Sequence, residues 1–130
     1  MEYTATAKYV RTSPRKMRLV ARAISGKKVN VALNALGIIP NHAAEPVRKL
    51  LESAISNALQ KKAVVESLMV ASVDVTGGPV LKRWHAVSKG TAHTYKKRMT
   101  HITIKLKEEE TKAVNSKSRL DRDKKLTVNS

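Results

Sequence analysis

A basic stretch with no acidic residue between Asp74 and Glu108 most constrains how this chain can fold. Within it, two arms of β-favouring residues flank the small polar segment Ser88-Lys89-Gly90-Thr91. Glycine readily takes the positive φ that a hairpin turn needs, so this segment predicts a turn. An arm of about eleven residues would reach roughly 35 Å, longer than a typical strand in a small domain. The pattern therefore predicts a long β-hairpin over about residues 78–105.

This predicted hairpin needs a partner. An isolated hairpin is marginally stable in water, and the Lys and Arg side chains of this one repel each other. We therefore expect a strongly anionic partner that surrounds it, most simply nucleic acid. Residues 79–107 contain eight basic residues and no acidic one: Lys82, Arg83, Lys89, Lys96, Lys97, Arg98, Lys105 and Lys107.

The charge of the whole chain supports the same partner. The formal net charge is +16 over 130 residues, an imbalance typical of proteins that bind polyanions. Residues 1–44 have eight basic residues against Glu2 alone, and residues 45–78 have four basic and four acidic residues. Residues 108–130 are nearly balanced, with six basic and five acidic residues. Two basic zones thus flank a neutral, apolar-rich middle.

Composition bounds the class of protein. The length suits one domain, and a hydrophobic content of 42% with only 3% aromatic residues and no Phe predicts an aliphatic core. With no cysteine, disulfides and Cys-based zinc sites are excluded. No apolar run approaches the ~20 residues that span a bilayer, and the start of the chain lacks signal-peptide features. We expect a protein of the cytosol, or of the interior of an organelle that encodes it, with no membrane partner.

The first basic zone reads as a strand and a helix. Alternation predicts a strand over residues 3–10, and Ser13-Pro14 predicts the start of a helix that runs to about Ser25 and stops at Gly26. The strand residues expected on one face are Tyr3, Ala5, Ala7 and Tyr9. The helix residues expected to face the core are Met17, Val20, Ala21 and Ile24.

The opposite face of this helix is basic. Arg15, Arg18 and Arg22 project from it, with Lys16 at its flank. A solvated helix surface normally mixes charges of both signs, whereas no acidic residue lies between Glu2 and Glu45. We therefore favour a phosphate-contacting face over a merely solvated one.

The remaining pattern completes an α+β fold. A second helix is expected from Val29 to Leu36, ending at Gly37, and a third from Asn41 to about Lys61. A strand is expected from Leu68 to Thr76, and the returning arm of the hairpin rejoins the core sheet. We predict one domain, residues 1–107, with a small antiparallel sheet packed on three helices and a long protruding β-hairpin. Residues 108–130 are expected to form a charged, flexible tail.

The inward positions of these elements were read from periodicity. In the second helix they are Val29, Ala32, Leu33 and Leu36. In the third helix they are Val47, Leu50, Leu51, Ala54, Ile55, Ala58 and Leu59. In the two strands they are Met69, Ala71, Val73 and Val75, and Ile102, Ile104 and Leu106.

No pattern of an enzyme or metal site emerges. The histidines His42, His85, His93 and His101 lack metal-ligand spacing, and no phosphate loop or nucleophile elbow is present. Neither basic zone contains paired carboxylates for acid–base catalysis. We therefore predict no catalytic activity, no metal, no cofactor and no small-molecule substrate.

Two aromatic residues of the hairpin have two readings. Trp84 and Tyr95 lie opposite each other if the turn centres on Lys89-Gly90. They could form a cross-strand pair that stiffens the hairpin, or they could stack on exposed bases of an RNA, and both roles can hold together.

Seven segments of the sequence match one known family in their order along the chain, over about residues 3–107. They are Ala7-Lys8-Tyr9-Val10-Arg11, Ser13-Pro14-Arg15-Lys16-Met17-Arg18-Leu19-Val20, Gly26-Lys27-Lys28-Val29, Ala43-Ala44-Glu45-Pro46-Val47, Ser53-Ala54-Ile55-Ser56-Asn57-Ala58, Gly78-Pro79-Val80-Leu81-Lys82-Arg83 and Thr100-His101-Ile102-Thr103. On these segments, the sequence resembles the bacterial-type L-twenty-two family of large-subunit ribosomal proteins.

The resemblance implies a domain seated on large-subunit ribosomal RNA (rRNA) and a hairpin threaded into the subunit. Its tip would line the nascent-peptide exit tunnel near another ribosomal protein. Family tips are usually richer in Arg, whereas residues 85–93 here have one Lys and no Arg. By position, the tip consists of Ala86, Val87, Ser88, Lys89, Gly90, Thr91 and Ala92.

We therefore predict a structural constituent of the large ribosomal subunit that binds rRNA and aids assembly. Its partners would be rRNA, neighbouring ribosomal proteins and the nascent polypeptide. The alternative is a free-standing basic protein that binds nucleic acid. Combining the charge pattern with the resemblance, we expect rRNA contacts at Lys8, Arg11, Arg15, Lys16, Arg18, Arg22, Lys27, Lys28, Lys82, Arg83, Trp84, Lys89, Tyr95, Lys96, Lys97 and Arg98.

Overall fold

The structure, a computed structural model, describes residues 1–109 and confirms the predicted α+β class. Short 3-10 turns at Val65–Ser67 and Ser88–Gly90 precede and follow the second strand. Glu108 still belongs to the last strand and Glu109 follows it, while residues 110–130 of the predicted tail lie outside the described residues. In chain order the helices and strands are β1 (Glu2–Val10), α1 (Pro14–Ile24), α2 (Val29–Ile38), α3 (Ala44–Gln60), β2 (Leu68–Ala86) and β3 (Ala92–Glu108).

The three strands form one antiparallel sheet in the order β1-β3-β2. Strand β3 is central: its C-terminal half pairs with both neighbours, while its N-terminal half pairs with β2 alone. The β2–β3 ladder continues outward to Ala86 opposite Ala92. The long hairpin is therefore a continuation of the core sheet.

The core lies between one face of the sheet and the three helices. Ile102, Ile104 and Leu106 of β3 are fully buried there, as predicted. Tyr3 is buried at the edge, and its hydroxyl donates a hydrogen bond of 2.9 Å to Glu108 Oε1, which raises the pKa of the phenol. The inward face predicted for α1 is confirmed, because Met17, Val20, Ala21 and Ile24 are all buried.

A β-bulge in β2 corrects the predicted inward face of that strand. Val70 pairs with Leu106 and Ser72 with Lys105, so Ala71 is an extra residue. The extra residue inverts the alternation on one side of the bulge. Leu68 and Val70 are therefore buried. Met69 and Ala71, which were predicted to face inward, are not. Beyond the bulge, Val73 and Val75 do pack against the core.

The boundaries of the helices also differ from the prediction. Ser13 occupies the N-cap position of α1, but its side chain makes no capping hydrogen bond; only its carbonyl accepts the amide of Met17. Gly26 does follow the end of α1, with φ of +75°, and donates its N–H to the Val70 carbonyl at 2.9 Å. Gly37, expected to stop α2, lies within the helix, which ends at Ile38.

Tyr9, predicted on the same face as Tyr3, and Leu59, predicted on the inward face of α3, both lie at the surface. Tyr9 is 60% exposed because a bulge near the end of β1 interrupts the alternation. Leu59 is 52% exposed, because it lies at the margin of the apolar stripe of α3, one residue before the end of the helix. Leu33 and Ile55 are half-buried and pack at the edge of the core.

We predict that Leu51→Ala destabilises the protein by about 2–5 kcal/mol, because Leu51 is completely buried and its loss leaves a cavity. Leu59→Ala makes the same chemical change on the same helix at an exposed position. It is expected to cost less than about 1 kcal/mol. Urea unfolding of the isolated protein measures both. Equal losses for the two variants would contradict the placement of the core.

Candidate nucleic-acid interface

The basic face of α1 is open to solvent. Arg15, Lys16, Arg18 and Arg22 are all exposed. The helical period of 3.6 places the three arginines opposite the buried apolar side that holds the helix on the sheet, with Lys16 at the flank. Burial of one side therefore fixes the direction in which the cations point.

The base of the hairpin meets the N-terminal end of α1. One groove in this region is lined from four parts of the chain: the β1–α1 link, Lys16 of α1, the loop before α3 and residues 96–98 in the N-terminal half of β3. An adjoining groove is lined by the first turns of α1, and Arg98 lines both grooves. The basic residues around the two grooves are Arg11, Arg15, Lys16, Arg18, Lys96, Lys97 and Arg98.

A buried threonine fixes this junction. Thr100 is fully buried, and its hydroxyl donates a hydrogen bond to the Thr12 carbonyl. This bond ties the link between β1 and α1 to β3 just before the hairpin leaves the core. Two basic zones that are far apart in the sequence thus form one continuous cationic surface.

Sequence reasoning did not find two residues of this surface. Asn41 and His42, in the loop before α3, line the first groove. Asn41 Oδ1 accepts the backbone N–H of Ala43 at 3.0 Å, which shapes that loop. Only the packing of α3 against the sheet brings the loop beside α1, so no local pattern could have placed these residues there.

The hairpin itself places like charges opposite each other. Lys82 pairs directly with Lys96. Directly opposed like charges destabilise a strand pair. The basic residues of the hairpin are all exposed, namely Lys82, Arg83, Lys89, Lys96, Lys97 and Arg98.

The carboxylates of residues 1–109 do not neutralise this surface. Within residues 1–109, the ion pairs are Lys28–Glu109, Lys105–Asp74 and two pairs on α3. None of the four includes a cation of α1 or of the hairpin from Lys82 to Arg98. Lys28 is the one residue of the predicted interface that the described part of the chain pairs with a carboxylate, at 3.2 Å.

The exposed side of α3 is electrostatically different. Glu45–Lys49 and Arg48–Glu52 form the predicted i,i+4 ion pairs, each at 3.1 Å. The hydrogen bond from Lys49 holds the pKa of the Glu45 carboxyl below its usual range. This surface is neutral, and it supplies matched control positions for the basic one.

The hairpin turn centres on Lys89, which corrects the predicted aromatic pair. Lys89 and Gly90 take positive φ of 61° and 68°, within a loop between Ala86 and Ala92. The odd loop length shifts the register by one residue from the expected turn, so Tyr95 lies opposite Arg83 and not opposite Trp84. Trp84 is 72% exposed and lies on the other face of the hairpin from Tyr95.

Tyr95 packs instead against a histidine. The rings of His85 and Tyr95 have centroids 6.3 Å apart and meet edge to face at 83°. Trp84 and Tyr95 both remain accessible on the hairpin, so base stacking stays a prediction for each of them. The tip residues Ala86–Ala92 are likewise exposed.

The other predicted contacts are exposed but lie outside the two grooves. Lys8 is in β1, and Lys27 and Lys28 form the link between α1 and α2. Within residues 1–109, no group of three or more His, Asp or Glu side chains is placed to hold a metal ion. In the same part of the chain, no helix combines the length and apolar character needed to cross a membrane.

The part of the chain that forms this fold matches a known protein family. Residues 5–107, which include all three helices and almost all of the sheet, match the family model described as "Ribosomal protein L22p/L17e". The match covers both basic zones and the whole hairpin.

Individual relatives agree. The chain is 49% identical over 109 residues to the large ribosomal subunit protein uL22 of Maridesulfovibrio salexigens, covering 83% of this chain and 99% of the relative. It is 50% identical over 101 residues to uL22 of Deinococcus radiodurans, covering 77% of this chain and 75% of the relative. The family model spans residues 5–107, and these relatives are about half identical to the chain over most of its length, so the chain belongs to the ribosomal protein L22p/L17e family.

Proposed function

We propose that the protein is a structural constituent of the large ribosomal subunit that binds rRNA through the basic surface of α1 and the hairpin. The observation that carries this proposal is the junction at Arg98. There, cations of α1 and β3 line adjoining grooves, and none of them is matched by a carboxylate of residues 1–109. Family membership favours this function over that of a free-standing nucleic-acid-binding protein.

The mechanism is the neutralisation of phosphates. Lys and Arg side chains that contact phosphate groups release condensed counterions, which favours binding at low salt. The basic surface continues from the helix onto the hairpin, so one protein can contact separate RNA segments at once. Bringing such segments together is how the protein would aid subunit assembly. The function requires no cofactor and no covalent step.

Phosphate groups of the rRNA would also stabilise the hairpin. Its opposed cations repel each other while the hairpin is free, and surrounding phosphates remove that repulsion. The tip would then lie in the wall of the nascent-peptide exit tunnel, beside a neighbouring ribosomal protein. Its small side chains, among them Ala86, Ser88, Gly90 and Ala92, suit a wall that a polypeptide passes. The cellular setting would be the ribosome in the cytoplasm.

The first test measures the salt dependence of binding to large-subunit rRNA. Arg98→Gln is expected to weaken binding and to reduce the log–log salt slope by about 0.7–0.9, the value of one phosphate contact. Joint replacement of Arg15, Arg18 and Arg22 by Gln is expected to reduce the slope by about 2–3. Filter binding of the isolated protein to the rRNA across a salt series gives both quantities.

The matched control is Lys49→Gln, which removes one exposed positive charge from the neutral side of α3. Its affinity and salt slope are expected to equal those of the wild type. If Arg98→Gln and Lys49→Gln change the slope equally, net charge and not the basic junction governs binding, and the proposed interface is wrong.

The second test addresses the tip. A photoreactive amino acid in place of Ser88 is expected to cross-link to the nascent chain of a stalled ribosome. The same amino acid in place of Ser53, an exposed serine of α3, is expected to give no such product. Gel analysis with a radiolabelled nascent chain reads out both variants. An absence of cross-links from Ser88 in ribosomes that contain the variant would overturn the tunnel placement.

A further inference from the structure

Tyr9 has an unusual backbone conformation at the end of β1. Ala7 pairs with Ile102 and Val10 with Thr100, so two residues, Lys8 and Tyr9, lie opposite one. Tyr9 takes φ of +60° within this bulge. Left-handed backbone is unfavourable for a bulky side chain, and bulges that need it typically use glycine. A tyrosine held there suggests a function for its side chain.

His101 stabilises this conformation. The backbone N–H of Tyr9 donates a hydrogen bond to His101 Nδ1 at 3.0 Å, replacing the bond that a regular ladder would make. The two rings meet edge to face, with centroids 4.9 Å apart and planes at 88°. His101 thus fixes both the backbone and the ring of Tyr9.

A glycine of β2 leaves room for the imidazole. A Cβ on Gly78 would lie 3.3 Å from His101 Cε1 and 3.2 Å from the carbonyl carbon and oxygen of Met99. These separations are tighter than ordinary van der Waals contact. Residues of all three strands therefore contribute to the position of the Tyr9 ring: Gly78 accommodates His101, and His101 holds Tyr9.

This arrangement does not bury the ring. Tyr9 is 60% exposed, whereas Tyr3 on the same strand is 2% exposed in the core. The ring lies on the outer face of the sheet, where His101 alternates with the buried Ile102, beside the small side chains of Thr6 and Thr103. The strain therefore presents an aromatic ring on an open, flat surface.

The charges near this ring suit RNA. Lys8 and Arg11, on either side of Tyr9 in sequence, are both exposed. Asp74, the acidic residue of the neighbouring part of β2, is paired with Lys105 at 3.2 Å. An aromatic ring flanked by cations is the combination with which proteins bind unpaired nucleotides, the ring taking the base and the cations its phosphates.

We propose that Tyr9 is a stacking platform for an unpaired nucleobase of the rRNA, and that His101 is the positioning residue that holds the ring in place. This inference rests on the proposed function, because it names a base contact within the same complex. It extends the interface from the helix side of the hairpin base to the outer face of the sheet.

The test compares Tyr9→Leu with Tyr9→Phe in binding to large-subunit rRNA across a salt series. Loss of one stacked base is expected to raise Kd by about 5- to 100-fold in Tyr9→Leu. The log–log salt slope is expected to stay unchanged, because no charge is removed. Tyr9→Phe keeps a ring face and is expected to bind within about twofold of the wild type.

A third variant keeps the test independent of folding. Glycine adopts positive φ without strain, so Tyr9→Gly is expected to retain the bulge and the unfolding temperature while losing affinity as Tyr9→Leu does. His101→Ala is expected to weaken binding in the wild-type background but to have little further effect once Tyr9 is Leu. Additive effects of the two substitutions would overturn the positioning role of His101.

The outcomes separate this inference from the proposed function. If the wild type binds rRNA with a steep salt dependence and folded Tyr9→Leu or Tyr9→Gly binds equally well, the stacking proposal is wrong and the phosphate interface stands. If the wild type itself shows no salt-dependent binding to the rRNA, the proposed function is wrong.

Discussion

Repulsion between the cations of the hairpin is the interaction on which the rest of this structure depends. The β2–β3 ladder holds Lys82 against Lys96, and the strand that carries Lys96 also carries Lys97 and Arg98. A free hairpin of this kind has little to stabilise it beyond its backbone hydrogen bonds. The protein meets this constraint by anchoring the hairpin in a well-packed core and leaving the cations open to an external anion. The stability of the base and the binding capacity of the hairpin are therefore supplied by separate sets of residues.

Strand β3 connects these two sets. Its C-terminal half contributes Ile102, Ile104 and Leu106 to the core, and its N-terminal half contributes Lys96 to Arg98 to the basic surface. Thr100, fully buried between the two halves, bonds to the link that leads into α1. The helix and the hairpin base are thereby held in one fixed arrangement. A polyanion would meet a preformed surface at the junction, which lowers the conformational entropy lost on binding.

The features readable from the sequence were those with a long, regular period. The apolar side of α1, the inward residues of β3 and the ion pairs of α3 follow from spacing alone, and so does the existence of the hairpin. The errors in the strands and the hairpin came from single inserted residues. Ala71 and Tyr9 each lie in a bulge, and a turn of odd length separates Trp84 from Tyr95. One extra residue reverses the alternation of a strand but leaves its composition unchanged, so propensity gives no warning of it.

The sequence predicts which residues belong to the candidate interface better than it predicts how those residues are arranged in space. The runs of Lys and Arg identify the cations, whereas the meeting of Arg98 with α1, and the place of His42 beside them, depend on contacts between distant parts of the chain. Alternation treats every second residue alike, so it predicts Tyr9 on the same face as Tyr3. The outer-face position of its ring depends on His101 and Gly78, which lie about ninety and seventy residues further along the chain.

The bulge at Gly78 and Pro79 affects the register and length of the hairpin beyond it. Two residues of β2 oppose Met99 alone, and from there to the tip the two arms run in strict one-to-one pairing. Sliding one arm past the other would require the bulge to move along the strands, so the bulge fixes the register of the two arms. The length of the hairpin beyond the bulge is then set by the number of residue pairs between the bulge and the tip. Each added pair would advance the tip by about 3.3 Å, so evolution can adjust its depth in discrete steps without disturbing the base.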